Sequence, residues 1–274
     1  MTGRGDTQHV GELALAHDLA DAADQVSLAL YRDGELLVAR KPDLTEVTQA
    51  DRAVEDRLRA LLAERRPGHG ILGEERGASG DQRIRWVIDP IDATRNFIRG
   101  NDMWGTLLAF EAHGQVEVAM VSAPALGRRW WVVRGQGACT TGPLDPRPRP
   151  LAVSRVNELA GAQLAYGDLR HDRWFQAPAG RCWRTRGIGD FLMWCLLADG
   201  AVDVVVGQDT DQPWDLAAPI LLVEEAGGRV TGPAGQPWTG GQPAIGSNCL
   251  LHPAVVDLIG AADTPRAATA DRGG

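Results

Sequence analysis

Trp86-Val-Ile-Asp-Pro-Ile-Asp-Ala-Thr-Arg-Asn-Phe97 sets an apolar run, two carboxylates three residues apart and a polar turn in immediate succession. Arg85-Trp86-Val87-Ile88 reads as a short buried strand, and Asp89-Pro90 is expected to stop it. Both acids then fall at a strand's carboxyl end, where α/β folds place their ligands. Hard oxygen donors there, followed by the N–H groups of a helix start, suit a Mg²⁺ ion and a phosphate. The competing reading is an acid-rich turn that merely ends a strand. An isolated Asp-x-x-Asp does not decide between the two; the surrounding chain does.

Upstream, Leu13, Leu15, Ala16, Leu19, Ala20, Ala23 and Val26 recur at helical spacing over residues 13–26. Thr48-Gln-Ala-Asp51 opens a second helix with Val54, Leu58, Leu61 and Leu62 on one face, ending before Pro67-Gly68. Downstream the texture turns to strands. Residues 104–112, a His113-Gly114 turn, 115–122 and 129–134 predict an antiparallel meander. Residues 142–150 carry four prolines and form the expected seam. Beyond it, 190–197 (helix), 202–206 (strand) and 216–226 (helix) alternate, with Gly227-Gly228 as a stop signal. This divides the chain into an N-terminal α+β domain (1–145) and a C-terminal α/β domain (146–262). Residues 1–8 and the small, polar tail 263–274 are expected to be disordered.

A chain of 274 residues with ordinary hydrophobic and charged content can bury a core in one or two domains. A net charge of −8 without a basic stripe excludes a nucleic-acid surface. It also means that a phosphorylated substrate would be repelled unless cations neutralised the acids. Cys139, Cys182, Cys195 and Cys249 follow no Cys-x-x-Cys or zinc spacing, which predicts reduced thiols in a cytoplasmic protein. No apolar run approaches the length of a membrane span.

Three further blocks flank the opening motif: Lys41-Pro-Asp-Leu-Thr-Glu-Val-Thr-Gln-Ala-Asp51, Gly73-Glu74-Glu75, and Trp214-Asp215-Leu-Ala-Ala-Pro-Ile-Leu-Leu-Val-Glu-Glu-Ala-Gly-Gly228. In this order the four blocks resemble the inositol monophosphatase family of Mg²⁺-dependent phosphomonoesterases. Within it, the chain is most similar to the actinobacterial histidinol-phosphate phosphatases. The resemblance covers nearly the whole chain. It implies a layered αβαβα sandwich of the sugar-phosphatase type, with an antiparallel sheet in the α+β N-terminal half and the site between the halves. A small phosphorylated metabolite as substrate and a homodimer are implied with it.

The resemblance also implies roles. Glu74, Asp89, Asp92 and Asp215, with the Ile91 carbonyl, would surround two or three Mg²⁺ ions. For Asp215 the residues alone suggest a helix N-cap, with Pro219 in the first turn; one carboxylate can both cap and coordinate. Thr94 would orient the attacking water and Asp51 would take its proton through the threonine hydroxyl. Taken alone, Asp51 reads as the acid of a Thr48–Asp51 capping box. The N–H groups of Ala93 and Thr94 would cradle the phosphate. The family usually has glycine where Ala93 stands, a departure that costs about 1–2 kcal/mol if φ is positive. An in-line displacement is expected, since the sequence offers neither an Asp-x-Asp at a strand end nor a Cys-x5-Arg nucleophile.

On the substrate side, Arg186-Gly-Ile-Gly-Asp190-Phe191, Ser122-Ala-Pro-Ala-Leu126 and Arg129-Trp-Trp131 resemble the histidinol-phosphate branch. Asp190 either meets a cationic substrate group or caps a helix. Gln208 stands where the family commonly has a glutamate, and Asp209 or Asp211 could replace the missing charge. Histidinol phosphate is therefore the expected substrate. The alternatives are a sugar, inositol or nucleoside phosphate of specialised biosynthesis, and, more remotely, a non-catalytic paralogue that binds a phosphometabolite.

Overall fold

The computed structural model describes residues 9–40, 46–167 and 173–263. The expected disordered start at 1–8, the first half of the Lys41–Asp51 block and residues 264–274 of the expected tail lie outside the described residues, while Asp263 ends the last helix instead of opening a disordered tail.

Helices α1 (Val10–Leu30) and α2 (Gln49–Arg65) come first, linked through a small hairpin, β1 (Val38–Arg40) and β2 (Glu46–Thr48). Next come β3 (Gly70–Gly73), β4 (Gly77–Ser79), β5 (Ile84–Asp92) and the short α3 (Thr94–Ile98). The meander follows as β6 (Gly105–Ala112), β7 (Gln115–Ala123), β8 (Arg128–Val133), β9 (Ala138–Thr141) and β10 (Arg149–Pro150). All strands from β3 to β10 form one sheet in the order β10-β9-β8-β7-β6-β5-β3-β4, antiparallel except where β3 runs parallel to β5. The proline-rich segment does not leave this sheet: β10 returns to pair with β9.

The remaining elements are β11 (Gln163–Tyr166), α4 (Arg173–Ala179), β12 (Arg184–Gly187), α5 (Asp190–Ala198), β13 (Val204–Val206), α6 (Pro213–Glu225), β14 (Gly228–Thr231), β15 (Ile245–Asn248) and α7 (His252–Asp263). Their strands make a second sheet, ordered β12-β11-β13-β15-β14. Helices α1 and α2 cover one face of the first sheet, α5 and α6 fill the space between the sheets, and α4 and α7 close the far side. This is the expected αβαβα layering.

Strand alternation builds it. Trp86 and Ile88 on β5, and Leu108 and Phe110 on β6, face α1 and α2. Their neighbours Val87, Leu107 and Ala109 face the central layer. Helix α5 shows no polar stripe over its middle: Phe191, Met193, Trp194, Cys195, Leu197 and Ala198 are all buried, as a helix wedged between two sheets requires.

Two local expectations are corrected. Pro90 does not stop β5, which continues to Asp92. Pairing with β6 shifts register between Asp89 and Asp92, so Pro90 occupies a bulge where its missing N–H breaks no ladder bond. Asp215 is not the N-cap of α6. Pro213 begins the helix earlier, Gln212 is the cap, and Asp215 at the third helical position accepts the Gln212 N–H at 2.7 Å. Pro219 consequently lies inside the helix rather than in its first turn.

Candidate active site

The acids are collected by backbone geometry. β3 runs beside β5 with Gly73 opposite Ile88, and the Glu74 N–H donates to the Ile88 carbonyl at 3.1 Å. Glu74 therefore leaves its strand level with Asp89. The N-terminal end of α6 packs over β5 and brings Asp215 to the same place. Asp89 lies within hydrogen-bonding reach of both Glu74 and Asp215. Asp92, one bulge further on, accepts the Phe191 N–H of α5 at 2.6 Å.

Crowded and desolvated carboxyls resist ionisation. Burial, then Glu74, Asp92 and Asp215, push Asp89 well above the usual carboxylate range. Burial, then Asp190 and Asp215, do the same for Asp92, against the opposing N–H donors of Phe191 and Ala93. Burial is also the main cause that lifts Asp215 to about 7. Asp89 Oδ1 is buried with no hydrogen-bond donor. An orphaned carboxylate oxygen amid three more acids fits a hard divalent cation, which would replace mutual repulsion by attraction. Among the described residues no three such side chains close into a finished coordination shell. Mg²⁺ does not require one, because it keeps several waters and shares phosphate oxygens.

Thr94 and Asp51 meet across 43 residues of sequence. Thr94 Oγ lies 3.1 Å from Asp51 Oδ1 and 3.1 Å from the Ile91 carbonyl. A hydroxyl has one proton, so donation to Asp51 leaves the Ile91 oxygen free to meet a cation. The other Asp51 oxygen accepts the Thr48 N–H at 2.8 Å and its hydroxyl at 2.6 Å, while Thr48 caps α2 in return. One carboxylate thus makes the capping box with one oxygen and meets Thr94 with the other. Burial outweighs these bonds and raises its pKa.

Ala93 adopts φ 65° and ψ 46°, the left-handed region, so the strain foreseen for a non-glycine residue here is present. Its N–H is turned toward the Asp92 carboxylate. Of the two expected phosphate donors, that one is therefore shared with a neighbouring acid.

A cavity of about 750 Å³ opens beside these groups. Glu74, Asp92, Asp190 and Asp215 line it together with the β13–α6 loop, which supplies Gln208, Asp209 and Asp211. Asp190 is the first residue of α5, after the N-cap Gly189, and has φ 50°. Asp211 accepts the Gln208 N–H at 2.9 Å, and burial, then Asp215, hold it well above the ordinary carboxylate range. Arg186 is not brought to this group. It stands exposed on β12, the outer edge of the second sheet, outside the cavity wall.

Sequence reasoning did not find the Phe191 N–H on Asp92, nor Thr106, whose hydroxyl donates to the Pro90 carbonyl at 2.8 Å and pins the bulge. A backbone donor leaves no mark on residue type. Trp194 and Trp214 also line the cavity, and residue type alone does not announce that.

Residues 12–259 match the model of the inositol monophosphatase family. A histidinol-phosphatase of Mycobacterium tuberculosis is 44% identical over 91% of this chain and 98% of its own length. A histidinol-phosphatase of Streptomyces coelicolor is 42% identical, covering 89% and 95%. The solved inositol monophosphatase of Zymomonas mobilis superposes with a TM-score of 0.80 at 30% identity, covering 93% of this chain and 99% of that one. The chain belongs to the inositol monophosphatase family, beside its actinobacterial histidinol-phosphatases, and is a phosphoric monoester hydrolase.

Proposed function

We propose that the chain hydrolyses histidinol phosphate to histidinol and phosphate with the help of two or three Mg²⁺ ions. The supporting observation is the acidic lining of the cavity, in which Glu74, Asp92 and Asp215 are joined by Asp190, Asp209 and Asp211. The first set, with Asp89 and the Ile91 carbonyl, would hold the cations. The second suits the ammonium and imidazole groups of an aminoalcohol leaving group.

Bound Mg²⁺ would lower the pKa of water and neutralise charge on the phosphoryl oxygens. The remaining chemistry belongs to the chain. Thr94 accepts a hydrogen bond from the attacking water and passes its own proton to Asp51, whose raised pKa suits uptake. The Thr94 N–H and the shared Ala93 N–H orient the phosphate for in-line attack. The P–O bond to the alcohol breaks as the new one forms, its electron pair goes to the leaving oxygen, and a solvent proton converts that oxygen to the hydroxyl of the product alcohol. A cytoplasmic homodimer belongs to the same proposal; all four cysteines are free, in keeping with a reducing compartment.

One observation favours a second reading. Gln208 is a neutral amide in the cavity wall and would suit a hydroxyl-rich sugar, inositol or nucleoside phosphate. Phosphate release from histidinol phosphate, inositol phosphate and nucleoside monophosphates, with Mg²⁺ and with EDTA, tests both readings. The proposal expects EDTA to abolish the activity and kcat/KM to be highest for histidinol phosphate. A preference of about tenfold, or ~1.4 kcal/mol in transition-state binding, for another ester selects the second reading.

A further inference from the structure

Helix α2 carries a second buried carboxylate one turn beyond Asp51. The Glu55 side chain has no exposure to solvent. One of its oxygens accepts the Glu75 N–H at 2.7 Å; the other accepts the Arg76 N–H at 3.1 Å and Arg59 Nε at 2.7 Å. Arg59 reaches further along the same loop, donating to the Gly77 carbonyl at 2.6 Å and to Ser79 Oγ at 2.9 Å. A buried carboxylate given three donors is held where it is, because losing any of them leaves charge uncompensated. The Glu55 carboxylate also fills the space beside Gly73, where a methyl group would collide with it.

These bonds bracket Glu74. Its own N–H is tied to Ile88 on β5, and the two following N–H groups are tied to Glu55. The backbone on both sides of Glu74 is therefore fixed by neighbours that are not part of the cavity. Asp51 and Glu55 stand four residues apart on one face of α2. One reaches Thr94 and the other the Glu74 loop, so a single helix face sets both.

We infer that Glu55 is a positioning residue for the cation site: it clamps the 74–76 backbone and thereby aims the Glu74 carboxylate. The inference rests on Glu74 being a Mg²⁺ ligand, as proposed above. Glu55→Gln keeps the shape but sets an amide N–H₂ against backbone donors. Outer partners of metal ligands typically change metal affinity by about 10–100-fold. Isothermal titration of the full chain with Mg²⁺ should show Kd rising within that range. The half-saturating Mg²⁺ for hydrolysis should rise in parallel, with the rate at saturating Mg²⁺ within about threefold of the parent.

A double-mutant cycle separates aiming from general support. In the Glu74→Gln background, Glu55→Gln should alter Kd by less than about twofold. If Glu74→Gln weakens Mg²⁺ binding but Glu55→Gln lowers only the melting temperature, the clamp is overturned and the ligand assignment stands. If Glu74→Gln leaves Mg²⁺ binding unchanged, the ligand assignment fails and takes the clamp with it. Should Glu55→Gln not fold, Gly73→Ala, which crowds the same carboxylate, must raise Kd in the same way; an unchanged Kd there overturns the inference.

Discussion

Replacing Asp215 by asparagine should make the metal-free protein more stable and, at the same time, deaf to Mg²⁺. The Asp215 carboxyl is lifted from its ordinary 3.8 to about 7, chiefly by burial. Between those two values the folded chain binds more protons than the unfolded one, so stability falls as pH rises through the window. Three pKa units correspond to ~4 kcal/mol at pH 8. Proton sharing with Asp89 spreads that penalty, leaving about 2 kcal/mol for a single neutralisation. Asparagine can still accept the Gln212 N–H through its Oδ1, so the capping box survives. The assay is thermal unfolding in EDTA and in excess Mg²⁺, at pH 4 and pH 8. Asp215→Asn should match the parent at pH 4 in EDTA. At pH 8 in EDTA it should melt roughly 3–4 °C higher, and Mg²⁺ should no longer raise its melting temperature. A variant that is less stable than the parent at pH 8, or that Mg²⁺ stabilises as much as the parent, refutes the reasoning.

Ala93→Gly should stabilise the chain by up to about 1 kcal/mol in urea unfolding, because release of left-handed strain exceeds the added freedom of the unfolded chain. Ala93→Val should lose ~2 kcal/mol or more, since a β-branched residue fits that backbone poorly. Thr94→Ala should lower kcat about 10²–10⁴-fold with little change in KM, whereas Thr94→Ser should keep most of the rate; steady-state kinetics at saturating Mg²⁺ decides. A Thr94→Ala enzyme within about threefold of the parent would remove Thr94 from the proton path.

The parts of this site written in side-chain chemistry were legible in the sequence. The Asp-Pro-Ile-Asp run announced a strand end rich in oxygen donors, and Thr48 with Asp51 announced a capped helix. The convergence of Glu74 and Asp215 on that strand end came from family resemblance, since no local pattern encodes it. Other features were hidden for physical reasons. Pro90 looked like a terminator because propensity knows nothing of a bulge prepared for it. Asp215 looked like a cap because the effect of Pro213 on where α6 begins is a matter of backbone geometry. Arg186 was placed on the substrate side by its motif, and a motif does not say which way an edge strand turns a residue. Glu55 was silent altogether: an acid on a helix gives no sign that its partners are main-chain amides of another loop.

Helix α5 touches both sheets, and its first amide N–H past the turn is bound to Asp92. A helix shared in this way leaves neither half free to breathe alone. Exchange of its amides with deuterium would require both sheets to part, and those amides should rank among the slowest in the protein. Substrate that stiffens the cavity from one side would then be felt as added protection on the other, which makes α5 a natural reporter of occupancy.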